Sequence, residues 1–270
     1  MKIKTFLYFF IIVLLSVSCS EYNKVLKITD PDLKYSYAKK YFSEKKYDKA
    51  AILFTELVPR FKATAKAEES LYLLARSYYE QKDYITSGQY FTTYYNTYPK
   101  GEYAELSRYY TGYGYYLDSP QPELDQSMTY KALSELQIFL EYYPNSERRQ
   151  EVLNIIFSLQ EKLSEKALKN TQLYYNLGNY GGNNYLSCII TAQNAIKDYP
   201  HSKYKEDFYI LILKSKYQQA FQSVKEKEQS RLRDVVDEYY IYIGEFPNGK
   251  YTKEAEQILS KTIEKVQVQN

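Results

Sequence analysis

The stretch LYLLARSYYEQKDYITSGQYFTTYYNTYP, residues 71–99, decides the fold. Its first half sets Leu71, Leu74, Ala75 and Tyr78 three or four places apart, which is one stripe of a helix. After the polar break Lys82-Asp83, Ser87, Phe91 and Tyr94 repeat that spacing, and Pro99 ends the run because it cannot continue a helix. Ala75 and Ser87 are small, so neighbouring helices can approach closely there. The stencil recurs as Ala50/Phe54/Leu57 before Lys62, Ala132/Leu136/Phe139 before Pro144, Cys188/Ala192/Ala195 before Pro200, and Val235/Tyr239/Tyr242 before Pro247. A pattern returning every 37 to 56 residues marks stacked helix pairs, so the chain reads as an all-α solenoid.

Working outward, the periodicity predicts helices over 32–45 and 47–61, then 64–81 and 84–98. The third pair carries an insertion at 117–125 ahead of a helix over 126–143. The fourth opens with a long helix bearing Val152, Ile156, Leu159, Leu163 and Ala167, broken by Gly178 and Gly181-Gly182 before 186–199. The fifth runs from 204 past Gln222, through a charged connection at Lys225 to Glu228, to a helix over 231–246. A last helix over 252–266 caps the stack. The segments after each Pro, such as Lys100-Gly101-Glu102-Tyr103 and Asn145-Ser146-Glu147, restart the chain with residues that cap or turn.

With 44% hydrophobic and 26% charged residues, the 270-residue chain supports a row of small cores. At the amino terminus Lys2 and Lys4 precede an apolar run from Phe6 to Leu15, then Ser16-Val17-Ser18 and Cys19. That run is too short to span a bilayer, which takes about 20 residues, and reads as an export signal. It resembles a bacterial lipoprotein signal, although Ser16 stands where a branched aliphatic residue is usual. The resemblance implies that Cys19 is acylated and becomes the new amino terminus, anchoring the protein by lipid with no other cofactor.

Without the export signal 34 basic face 33 acidic residues, and near-neutrality argues against a nucleic-acid partner. One His and one further Cys leave no material for a His/Cys zinc site or a nucleophilic triad. His201 reads as a solvated turn residue and Cys188 as a packed core residue. Gly112 and Gly114 follow a helical pattern, so they read as helix-packing positions rather than a phosphate loop. Asp118, Glu123 and Asp125 lack calcium-loop spacing. No metal site and no enzyme activity are expected.

Ahead of the stencils stand Tyr37-Ala38 with Tyr41, Leu74-Ala75 with Tyr78, and Tyr113-Gly114 with Leu117, and together with them they resemble the tetratricopeptide signature. The expected fold is a tetratricopeptide-type α-solenoid of about five helix pairs with a carboxy-terminal capping helix. Cys19, the endings Tyr98-Pro99-Lys100-Gly101-Glu102-Tyr103-Ala104 and Tyr143-Pro144-Asn145-Ser146, and the run from Asp125-Gln126-Ser127 into Ala132 to Leu140 resemble the BamD family. These are lipoproteins of the outer-membrane β-barrel assembly machine. The resemblance implies a periplasmic scaffold whose amino-terminal repeats receive nascent barrel proteins and whose carboxy-terminal repeats dock on the barrel-forming BamA subunit. It divides the chain into an export signal (1–18), a tether (19–31), repeats 1–3 with a client groove (32–144), and repeats 4–5 with the cap (145–270). A tetratricopeptide scaffold for peptidoglycan enzymes is the other class.

Side chains three before, one after and four after the central small residue of each first helix are expected to face the groove. Around Ala38 these are Tyr35, Lys39 and Phe42; around Ala75, Tyr72, Arg76 and Tyr79; around Gly114, Thr111, Tyr115 and Asp118. Arg108 is assigned to the same face. Aromatic rings interleaved with cations suit a peptide with an aromatic end and a free carboxylate.

Overall fold

The computed structural model describes residues 21–62 and 64–268, so the export signal and Cys19 lie outside it. Among the described residues all regular structure is helical. α1 covers residues 21–26. There follow α2 (Pro31–Ser43), α3 (Tyr47–Arg60), α4 (Ala65–Glu80), α5 (Tyr84–Thr97), α6 (Ala104–Leu117) and α7 (Ser127–Tyr142). Then come α8 (Arg149–Leu177), α9 (Asn184–Asp198), α10 (Lys205–Phe221), α11 (Lys225–Glu245) and α12 (Thr252–Val268). The fold class is all-α, built from tetratricopeptide-type helix pairs.

Local chemistry sets the helix starts. Asp30 caps α2 by accepting from the Asp32 amide at 2.9 Å, with Pro31 at the first helical position, where its missing N–H costs nothing. Asp83 caps α5 through the Thr86 amide at 3.0 Å, and Asn183 caps α9 through the Leu186 amide at 3.2 Å. The run Lys225 to Glu228, expected to be a connection, is the first turn of α11. Glu226 and Glu228 there complement the amino-terminal end of the helix dipole, and Glu228 also pairs with Lys265 of α12 at 2.5 Å.

The chain forms two compact units. The first holds α1 to α7 and α8 as far as Leu153; the second holds the rest of α8, α9 to α12, and Gln121–Asp125. In the first unit successive helices from α2 to α7 pack on one another. The small residue of each first helix lies in these contacts: Ala38 and Ala75 are fully buried, and the Ser87 hydroxyl donates to the Ala75 carbonyl at 3.0 Å. In α6 that place is taken by Gly112, where an added Cβ would lie 2.7 Å from Leu136 of α7. Gly114, the expected register residue, instead faces Tyr84. Three positions before Ala38, Ala75 and Gly112 stand Tyr35, Tyr72 and Tyr109. Each is buried, with its ring 6.3, 5.9 and 6.0 Å from Phe54, Phe91 and Phe139 respectively.

Residues 22–28, expected to belong to a tether, are part of this unit. Val25 is 2% exposed in the core formed by α2 and α3, with Tyr22 and Ile28 packed beside it. Lys34 donates to the Leu26 carbonyl at 3.1 Å and Arg60 to that of Thr29 at 3.3 Å. The segment covers the end of the first pair as a cap.

A recurring clamp closes the repeat boundaries. Beyond Pro99, the Glu68 carboxylate accepts from the Tyr94 hydroxyl and the Glu102 amide, and the Tyr103 amide donates to the Tyr94 hydroxyl at 3.0 Å. Beyond Pro247, Glu206 accepts from the Tyr242 hydroxyl at 2.7 Å and the Tyr251 amide at 3.2 Å. Beyond Pro144 the tyrosine is replaced by Phe139, and the Ser146 hydroxyl donates to Glu105 at 2.5 Å instead.

In the second unit Ala167 and Leu168 of α8 pack on Ile189, Ala192 and Ala195 of α9, which also meet Phe208 and Ile212 of α10. Cys188 is fully buried with its thiol directed at the Leu211 carbonyl, and burial raises its pKa. α12 packs against both α10 and α11, as expected of a terminal cap. The insertion lies on α8: Lys166 donates to the Leu124 carbonyl at 2.6 Å, and Glu123 is ion-paired with Lys169.

Candidate peptide-binding face

The first helices of the opening three pairs, α2, α4 and α6, carry the candidate face within the first unit. One position after the register residue stand Lys39, Arg76 and Tyr113; four positions after stand Phe42, Tyr79 and Tyr116. All six are at least partly exposed.

Lys39 reaches Glu69 of α4 at 2.7 Å, with its ammonium 5.5 Å from the Tyr35 ring. Glu69 also accepts from the Tyr35 hydroxyl. Burial opposes the Glu69 charge, but these two hydrogen bonds outweigh it and hold the carboxyl below its ordinary pKa. Phe42 lies edge-on to Tyr47 at 5.3 Å.

Arg76 is the most heavily engaged group of the face. Its guanidinium lies 4.4 Å from the Tyr110 ring and 5.8 Å from that of Tyr79. It is ion-paired with Glu80 and donates to the Tyr72 hydroxyl at 3.4 Å. Burial penalises its charge, yet the Glu80 and Tyr72 contacts overcome that penalty and raise its pKa. Its Nε is buried and makes no hydrogen bond. Around it Tyr79 meets Tyr84 and Tyr110 at 5.3 and 4.9 Å, while Tyr113 stacks on Tyr109 and tilts against Tyr116. Two cations, each already balanced by a carboxylate, thus stand in a field of tyrosine rings.

Five expected positions are corrected by this geometry. Tyr35 and Tyr72 are 8% and 7% exposed: the first fills the core beside Phe61, and the second stacks on Tyr103 at 4.1 Å. Arg108 lies between the rings of Tyr95 and Tyr142, 4.1 and 4.0 Å away, on the second helices α5 and α7. Tyr115 presses its hydroxyl on Gly88 of α5, with Lys131 of α7 5.8 Å from its ring. Thr111 is likewise buried, bonded to the Ser107 carbonyl of its own helix. For Arg108, Tyr115 and Thr111 the cause is a register two residues too late in α6; Tyr35 and Tyr72 stand three before the small residue, a position that packs on the phenylalanine of the second helix. Gly112 stands thirteen residues beyond Pro99, as Ala75 stands thirteen beyond Lys62, and that spacing is the signal that finds Tyr113 and Tyr116.

Paired helices, each with a small residue where its neighbours pack and with aromatic and charged side chains interleaved on the first members, define a tetratricopeptide-type helical repeat fold. A family model described as YfiO, outer membrane lipoprotein, matches residues 29–181, more than half of the chain, and the protein belongs to that family. No curated protein matches it. A solved structure described as the TPR2AB-domain:pHSP90-complex of yeast Sti1 is similar at 14% identity and a TM-score of 0.40, over 86% of this chain and 98% of that one. Among the described residues no helix is long and apolar enough to cross a membrane.

Proposed function

We propose that the protein is a non-enzymatic scaffold, held by acylated Cys19 at the periplasmic face of the outer membrane, that binds nascent β-barrel proteins and a BamA-like barrel-forming subunit. Family membership supports the lipoprotein and outer-membrane parts of this reading. The export-type sequence ending at Cys19 supports the anchor, and mass spectrometry of the native amino terminus tests it. An unmodified start downstream of Cys19 would refute the anchor. The docking surface for the barrel-forming subunit is assigned to the last two repeats and cap, roughly 199–266.

The observation that carries the client site is Arg76, partly exposed, set over Tyr110 beside Tyr79 and ion-paired with Glu80. A client's terminal carboxylate would compete with Glu80 for the guanidinium, while its aromatic side chains lie against Tyr79, Tyr113 and Phe42. Lys39 and Glu69 flank that track and contribute polar contacts.

Titration of a carboxy-terminal barrel peptide, as free acid and as amide, tests the assignment. Arg76→Ala is expected to weaken the acid by about 1–3 kcal/mol and the amide by less, with helicity unchanged. Glu80→Gln, which removes the competitor, is expected to strengthen binding of the acid. Equal losses for acid and amide would remove Arg76 from the carboxylate site.

A further inference from the structure

The entry of the chain into the fold points to a second binding surface. Glu21 lies 3.5 Å from Lys40, the Tyr22 ring lies 5.6 Å from that of Tyr41, and Lys49 stands 5.1 Å over Tyr22. The first described residues therefore meet the protein at the α2–α3 turn, where Lys45 and Lys46 project. Val25, buried in the core, fixes that entry point.

Six lysines stand in the two segments 21–27 and 40–49: Lys24 and Lys27 on or just after α1, and Lys40, Lys45, Lys46 and Lys49 around the α2–α3 turn. The acids of the same two segments are Glu21, Glu44 and Asp48, an excess of three positive charges where the chain without its export signal has an excess of one. Among the described residues Lys24, Lys27, Lys45 and Lys49 make no ion pair with any acid. Lys24, Lys27 and Lys45 are exposed.

We propose that this end of the first unit, the outer side of α1 with the α2–α3 turn, lies against anionic phospholipid headgroups. The inference rests on the acylation of Cys19 proposed above. Tyr22 stands three positions after Cys19, and an extended chain covers about 10 Å in that distance. The field of an anionic bilayer decays over about 8 Å at physiological ionic strength, so a lipid on Cys19 holds the lysines within its reach. Each lysine near such a surface strengthens binding by about five-fold. The lipid supplies attachment; the lysines choose which side of the protein faces the membrane.

The test uses the acylated protein, extracted from membranes and reconstituted in phosphatidylcholine vesicles with and without phosphatidylglycerol. Amide hydrogen exchange over residues 40–49 is expected to slow when phosphatidylglycerol is present and to recover at high salt. It is not expected to slow in a variant carrying Lys24→Glu, Lys27→Glu and Lys45→Glu, while exchange in α12 stays the same throughout. Equal exchange in the two vesicles would overturn the proposal. Co-sedimentation of the full chain carrying Cys19→Ala separates the surface from the anchor. Its partition onto phosphatidylglycerol vesicles is expected to fall on the order of 100-fold with the triple variant, and an unchanged partition would also overturn it. Failure of acylation alone would appear in the mass of the native amino terminus.

Discussion

A methyl group on Gly101 would sit 2.7 Å from the Tyr94 hydroxyl and collide with the Glu68 carboxylate; on Gly249 it would sit 2.9 Å from the Tyr242 hydroxyl and collide with Glu206. Both glycines stand two places after the boundary Pro, and both tyrosines five places before it. Where the earlier position is Phe139 or Ala195, the later one is Ser146 or Ser202. Ser146 bonds to Glu105, and Ser202 to Ser164. A hydroxyl is thus supplied at each of these boundaries, from the helix by Tyr or from the turn by Ser, and there is room for one. Gly101→Ser is expected to destabilise the first unit by about 1–3 kcal/mol through overpacking. Tyr94→Phe is expected to cost about 1 kcal/mol through the lost hydrogen bonds. Combined, they rebuild the Phe139/Ser146 arrangement, so the double variant is expected to be more stable than Gly101→Ser alone. Denaturant titration of the four proteins measures the coupling, and strictly additive losses would show that the pairing has no energetic basis.

Among the elements, α1 carries a consequence that its sequence conceals. Val25→Ala removes two buried methyl groups and is expected to cost about 1–3 kcal/mol. The loss belongs to α1 to α3, because stacked pairs depend mainly on their neighbours. Hydrogen exchange should quicken over residues 33–57 and stay unchanged in α10 and α12; a uniform increase would contradict that locality. The segment reads as a tether because Tyr22, Val25, Leu26 and Ile28, scattered among Lys, Glu and Asn, give too short a pattern to show a period. Helices two to five were legible because small residues at Ala38, Ala50, Ala75 and Ser87 keep one spacing. The charged run of α11 was not, since Lys-Glu-Lys-Glu carries no apolar stripe, although it suits a solvated helical turn. In α6 two glycines lie two residues apart, and the insertion after Leu117 removes the fixed distance to Ala132 that would have chosen between them. The groove list inherited that ambiguity, so Arg76, Tyr79, Lys39 and Phe42 lie on the face while Arg108 and Tyr115 turn toward the second helices.

On the scale of the whole molecule, the proposed client face and the proposed docking surface fall in different compact units. The family match ends at Gly181, ahead of the last four helices, so the docking surface assigned to 199–266 lies wholly outside it. There α11 and α12 leave a groove of about 430 Å³ lined by Leu232, Val236, Ile263 and Val266, with Arg233 and Asp237 at its sides. Ile263 is 41% exposed although it lines an apolar groove, and on the proposed docking it is the expected anchor point for an apolar side chain of the barrel-forming subunit. Ile263→Asp places a charge where that contact would form and is expected to weaken capture of the subunit by at least about 30-fold, the loss typical of an interface hot spot. Being partly solvated, the substitution should leave helicity intact. Arg76→Ala should leave subunit capture unchanged, and Ile263→Asp should leave binding of the carboxy-terminal peptide unchanged. Measured in all four combinations, the two losses are expected to be independent, because residues without shared partners do not couple. A peptide affinity that falls with Ile263→Asp would show instead that the two surfaces communicate, and would place client binding under the control of the docking subunit.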